Sequence, residues 1–211
     1  MIQQLLYISQ APHVSNIRLA CEAGCRAVQL RVKNETAENW LQMAKEAKVV
    51  CDEFGAALFI NDNPHIAKEV GAAGVHVGLN DMSVAEVRRI LGDDFIIGGT
   101  ANGAADIRRH ADEGADYIGL GPFRFTTTKE KLSPILGLEG YKRVLEEAAT
   151  PLPVLAIGGI VLGDIAGLMS AGLHGIAVSG LITAAADRNA LVAGIYEQFK
   201  SHANGAFSYS R

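Results

Sequence analysis

Short apolar runs, each led in by a turn of small residues, recur along the whole chain. AGCRAVQLRV (23–32), GAAGVHVG (71–78), EGADYIGLG (113–121) and AGLHGIAVSG (171–180) share this form. Each reads as the end of a helix followed by a strand, with Gly where the helix closes in the left-handed region and a Cβ would clash. AALFIND (56–62), DFIIGGT (94–100) and PVLAIGG (153–159) fill the gaps, and LLYIS (5–9) opens the chain, which makes eight strands. The runs are mostly continuous rather than alternating, as parallel strands buried on both faces require.

Helical periodicity lies between them. It is clearest in TAENWLQMAKEAKVVCDEF, where Trp40, Ala44, Ala47, Cys51 and Phe54 recur at spacings of three and four and so share one face. Thr36 is placed to cap its start and Gly55 its end. Strand and helix alternate with no composition break or Pro-rich linker, which predicts one α/β domain over 1–211. Eight such units favour a closed (β/α)8 TIM barrel. The rival is an open doubly wound sheet, but no GxGxxG follows the first strand, and LVAGIYEQFK closes the eighth unit as a helix. The polar ending over 202–211 reads as a frayed tail.

Composition narrows the class. The 211 residues are 49% hydrophobic and 20% charged with 23 Gly, a globular α/β profile. One core of this size buries roughly 70% of the surface of the unfolded chain. A net charge of -4 argues against a general footprint for nucleic acid or an anionic membrane, so an anionic ligand must be met locally. Cys21, Cys25 and Cys51 complete no zinc-type set and read as small core residues in a reducing compartment. The amino terminus has no signal-peptide pattern, and no run approaches about 20 apolar residues. A soluble cytoplasmic protein is expected.

In a barrel of this kind chemistry is confined to the loops after the strands, so polar residues at strand ends are informative. Strand two ends Gln29-Leu30-Arg31-Val32-Lys33. Alternation puts Gln29 and Arg31 on one face and aims Arg31 into the mouth, unless it only pairs with a rim acid. Strand three ends Asn61-Asp62, and Asp81 follows strand four. Two acids on neighbouring loops suit a hard divalent cation such as Mg²⁺, though either acid is also placed to cap a helix. His76 sits inside strand four, out of register with Val75 and Val77, where it either bonds a substrate or satisfies the core. After strand six, Thr126, Thr127, Thr128 and Lys129 lie in a long loop that reads as a phosphate-gripping lid or as a solvated loop. Strands seven and eight end in Gly158-Gly159 and Val178-Ser179-Gly180. Their glycines let backbone N–H groups approach a phosphate, or serve tight turns.

VQLRVK, FIND, GVHVG with Asp81, GADYIGLGPF, TTTK and AIGGI, in this order, resemble the thiamine phosphate synthase family along nearly the full chain. The resemblance implies joining hydroxymethylpyrimidine diphosphate to a thiazole phosphate, releasing pyrophosphate, by a dissociative route. It implies Arg31, Lys33, Asn61 and Lys129 on the diphosphate, Asp62 and Asp81 on Mg²⁺, and Gln29 facing the pyrimidine. Thr126, Thr128, Gly159 and Ser179 would hold the thiazole phosphate, with His76, Thr100 and Val178 as further substrate contacts. A homo-oligomer is compatible with all of this.

Some positions depart from the family pattern. Leu79 stands where Gln is common, Thr100 where Ser is usual, Asn102 and Gly103 where a His often follows, and Phe125 where Pro is common. Thr100 keeps a hydroxyl; the other changes bear on pocket polarity and loop stiffness. Three alternatives stand beside the synthase: a thiazole tautomerase, a sugar-phosphate epimerase or isomerase, and a silent phosphate-binding barrel. The first needs no cations around a diphosphate, and the second needs acid/base residues that only His76 supplies.

Overall fold

The computed structural model describes residues 2–125 and 134–206. The strands β1 (Leu5–Ile8), β2 (Ala27–Leu30), β3 (Ala57–Asn61), β4 (Gly74–Val77), β5 (Ile96–Ala101), β6 (Tyr117–Leu120), β7 (Val154–Ile157) and β8 (Gly175–Val178) pair in chain order. All are parallel, and β8 closes onto β1 with Leu5 opposite Ile176 and Tyr7 opposite Val178. The helices are α1 (His13–Glu22), α2 (Ala37–Glu53), α3 (Pro64–Val70), α4 (Val84–Leu91), α5 (Ala104–Asp112), α6 (Gly137–Ala148), α7 (Ile165–Ser170), α8 (Gly180–Thr183) and α9 (Arg188–Ala206). This is the expected (β/α)8 barrel, and the open sheet is excluded because it has two free edges.

The period-two geometry of a strand divides the core in two. Leu6, Ala27, Phe59, Tyr117, Leu155 and Ala177 fill the inside of the barrel. Leu5, Val28, Leu30, Leu58, Ile60, Val75, Ile118 and Ile176 face outward and pack under the helices. Each fully buried Leu or Ile contributes about 2 kcal/mol relative to exposure. Inside, volume must match across strands: Gly98 of β5 lies against the Tyr117 ring, and a Cβ there would stand 2.2 Å from it. The largest buried aromatic of the interior therefore requires the smallest neighbour.

The helix ends follow their local chemistry. The Thr36 hydroxyl accepts from the Asn39 N–H at the start of α2, and Gly55 lies just past its end with φ +61°. Along α2, Ala44, Ala47, Val50 and Cys51 are buried, while Trp40 and Phe54 are half-buried against the same core. The α4 start carries a reciprocal capping box between Ser83 and Glu86, which satisfies two otherwise orphaned N–H groups. Cys21, Cys25 and Cys51 are all buried free thiols. The final helix runs to Ala206, so 202–206 continue it instead of forming the expected tail. Among the described residues, no helix is long and apolar enough to cross a membrane.

Candidate active site

The strands of a parallel barrel all point their carbonyl ends one way, so every loop that follows a strand opens onto the same face. There a cavity of about 540 Å³ is lined by residues at or just beyond the strand ends, a volume suited to a small phosphorylated ligand. Gln29, Arg31, Lys33, Asn61, Asp62, His76, Asp81, Thr100, Gly159, Val178 and Ser179 all line it. Each described residue given a site role from the sequence thus reaches one cavity. Thr126, Thr128 and Lys129 lie outside the described residues.

The β2–β4 side carries the charge. Lys33 Nζ donates to Asp62 Oδ2 at 2.6 Å. Asp81 Oδ2 accepts from the Gly78 N–H at 2.9 Å. Partial burial raises the Asp81 carboxyl above its ordinary value, and the neighbouring Asp62 carboxyl raises it further by hydrogen bond and charge. Two carboxyls close enough to repel when both are ionised, with hard oxygens facing a polar mouth, are the donor set that a divalent cation relieves. Helix capping does not explain them. Asn63, not Asp62, caps α3 by accepting from the Ile66 N–H at 3.0 Å, and Ser83 caps α4. Asp62 instead holds φ +60°, an uncommon conformation for a non-glycine residue. Arg31 forms no ion pair with a rim acid among the described residues, and it lines the cavity.

Polar side chains of β3–β5 form the floor. The register sets Asn61 opposite His76 and His76 opposite Gly98. His76 Nδ1 is hydrogen-bonded to the Tyr117 hydroxyl at 3.0 Å and Nε2 to Thr100 Oγ1 at 2.9 Å. Burial pushes the Tyr117 hydroxyl far up, so it stays protonated and can anchor the imidazole. His76 therefore both satisfies the barrel core and lines the cavity. Its partner Tyr117 was not among the residues the sequence singled out. Its inward position on β6, across from Gly98 on β5, is the pattern that marks it.

The β6–β8 side offers mostly backbone. Gly158 and Gly159 have φ +90° and +69°, values that favour glycine. A Cβ on Gly159 would lie 2.4 Å from Arg124 Cγ and 2.8 Å from the Phe125 carbonyl oxygen. The Ser179 hydroxyl donates to the Ile8 carbonyl at 2.7 Å, which ties β8 to β1. Val178 packs in the helix-facing core and also borders the cavity. The Asn102 amide reaches the Gly121 carbonyl on this side, so the departure at that position still places a polar group in the wall. Phe125, 67% exposed, also lines the cavity, whereas Leu79 does not.

Comparison with known proteins agrees with this geometry. The family model described as thiamine monophosphate synthase matches residues 5–182. The thiamine-phosphate synthase of Flavobacterium johnsoniae is 48% identical over 205 residues, covering 94% of this chain and 97% of that one. That of Phocaeicola vulgatus is 49% identical over 178 residues, covering 83% and 86%. The solved thiamine phosphate pyrophosphorylase from Pyrococcus furiosus superposes with a TM-score of 0.84 at 28% identity, covering 94% of this chain and 96% of that one. A match of this extent, on a barrel whose mouth gathers the residues expected of such an enzyme, means that the chain belongs to the thiamine monophosphate synthase family.

Proposed function

We propose that this transferase of thiamine biosynthesis, a thiamine-phosphate synthase, joins hydroxymethylpyrimidine diphosphate to a thiazole phosphate by expelling pyrophosphate first, within a single barrel domain. The observation that carries the reading is the convergence of Arg31, Lys33, Asp62 and Asp81 on one cavity. In the first step the bond between the pyrimidine methylene carbon and the diphosphate oxygen breaks, and its electron pair leaves with the diphosphate. The thiazole nitrogen then donates its lone pair to that carbon, giving thiamine phosphate. No proton needs to move, so no general base or nucleophile is required.

Negative charge grows on the diphosphate as the bond breaks, so cations already aimed at it stabilise the transition state more than the ground state. Arg31 and Lys33 are the described cations for that task, with Asn61 as a neutral donor. Asp62 and Asp81 are the residues to hold Mg²⁺, which when bound supplies further charge stabilisation to the leaving group. Gln29 faces the pyrimidine, and the His76–Tyr117–Thr100 chain stiffens the wall beside it. Gly159, Val178 and Ser179 offer backbone and hydroxyl contacts to the thiazole phosphate. Holding both substrates in one cavity orients them and limits the chance that water captures the carbon electrophile.

The test is to supply both substrates with Mg²⁺ and follow both products. Thiamine phosphate and pyrophosphate should appear in equal amounts, and chelation of the metal should stop the reaction until Mg²⁺ is restored. Isomerised thiazole as the sole product, or full turnover after chelation, would overturn the reading.

A further inference from the structure

Arg124 leaves the loop after β6, and Asp164 lies beyond β7, 40 residues away. The guanidinium meets the carboxylate with both Nη atoms, Nη2 to Oδ1 at 2.8 Å, and Nη1 also donates to the Gly159 carbonyl at 2.7 Å. Asp164 Oδ2 in turn accepts from the Val161 N–H at 2.8 Å. The stem of Arg124 occupies the space where a Gly159 side chain would stand, and its guanidinium lies 4.8 Å from the Phe123 ring centroid. Backbone bonds from Phe123 N–H to the Ile157 carbonyl and from Arg124 N–H to the Gly158 carbonyl continue the β6–β7 pairing beyond the strands. Burial works to raise the Asp164 carboxyl, but the Arg124 fork and the Val161 N–H outweigh it and hold it below its ordinary value.

This arrangement does not describe a spare cation for substrate, because the carboxylate already satisfies the charge of Arg124. Nor is it arranged chiefly for stability: an ion pair with Arg124 43% exposed contributes little to folding. Its distinguishing feature is what it connects. One end grips the backbone at Gly159 and Val161, and the other is the neighbouring loop, whose Pro122 and Phe125 line the same cavity. A planar fork fixes both distance and angle between the two loops, which a point charge does not.

We propose that Arg124, clamped to Asp164, is a positioning residue that sets the spacing of the β6 and β7 loops for the thiazole phosphate; this rests on the assignment of that phosphate to the Gly159 side. The clamp joins the loops after β6 and β7, whereas Arg31, Asp62 and Asp81 follow β2, β3 and β4, so it bears on one substrate and not the other. Arg124→Gln and Asp164→Asn should each raise the KM for thiazole phosphate by about tenfold while the KM for the pyrimidine diphosphate and the saturated kcat stay within about threefold. Arg124→Lys should fall between, because an ammonium restores charge without the fork. If Arg124→Gln fails to fold, Asp164→Asn carries the test. The proposal is overturned if a variant with unchanged thermal melting shows both KM values rising equally, or neither rising. Should the unaltered protein form no thiamine phosphate, the synthase reading fails by itself, and calorimetric binding of thiazole phosphate to the unaltered and Arg124→Gln proteins decides the clamp: tenfold weakening supports it, and equal affinity ends it.

Discussion

The two halves of the barrel mouth are built from different material. On the β2–β4 side the cavity is lined by charged side chains, Arg31, Lys33, Asp62 and Asp81, whereas the β6–β8 side presents Gly121, Gly158, Gly159 and Ser179. A glycine in each half shows the contrast. A Cβ on Gly78 would meet only the Asp81 carboxylate, at 2.4 Å, while one on Gly159, at φ +69°, would meet the Phe125 backbone and the stem of Arg124 at Cγ. The first half can yield by swinging a side chain; the second cannot yield without moving a loop. Under the proposed function, a departing diphosphate gains charge during the reaction and is met by cations already aimed at it and by a metal. On the same proposal the thiazole phosphate keeps its charge throughout, so a rigid backbone is the better match for it.

The sharpest way to break this comparison is to remove an acid. Asp62→Ala or Asp81→Ala should lower the rate of thiamine phosphate formation at least about 100-fold at fixed Mg²⁺, since under the proposed function each removes a metal contact and its charge stabilisation. Near-normal rates in both variants at modest Mg²⁺ would remove the functional distinction between the halves. Matched glycine substitutions should then separate strain from chemistry. Gly159→Ala should cost about 1–3 kcal/mol of stability, visible as a lower melting temperature, because its backbone conformation and neighbours both resist a Cβ. Gly78→Ala should melt normally but slow turnover about tenfold and raise the Mg²⁺ needed for half the maximal rate, because it displaces one carboxylate of the pair. The reverse pattern, with a destabilised Gly78→Ala and a normal Gly159→Ala, would contradict the assignment of rigidity to the β7 side.

The smallest effect is expected at Asn63, next to Asp62. Asn63→Ala removes the α3 cap and should cost about 1 kcal/mol of stability in a denaturant titration, with the Mg²⁺ dependence of the rate unchanged. A changed metal requirement would mean that the cap also aims Asp62. In the sequence these neighbours look interchangeable, because Asp and Asn both cap helices. Backbone geometry separates them: Asn63 has extended dihedrals at the helix start, while Asp62 is left-handed and turns its carboxylate to Lys33.

Much of the candidate site is legible in the sequence because the rules that expose it are local. Alternation along a parallel strand says which face a residue occupies, and the end of an apolar run says where the strand opens. Arg31 and Asn61 follow from those two facts alone, whereas Thr100 came only from the family resemblance. Tyr117 was passed over because the sequence shows its hydroxyl but not the partner, His76, that it meets across the barrel.

The chain's own pattern was enough to determine eight strand–helix units, their parallel arrangement and the end of the barrel at which chemistry collects, since hydrophobic period and turn chemistry act over a few residues. Only the tertiary structure decided that His76 is held by Tyr117 and Thr100, that Asp62 and Asp81 press together, and that Arg124 crosses to Asp164. Those contacts depend on the stagger of strands and on how far apart two loops stand after closure, quantities set by the packing of the whole barrel and carried by no short stretch of residues.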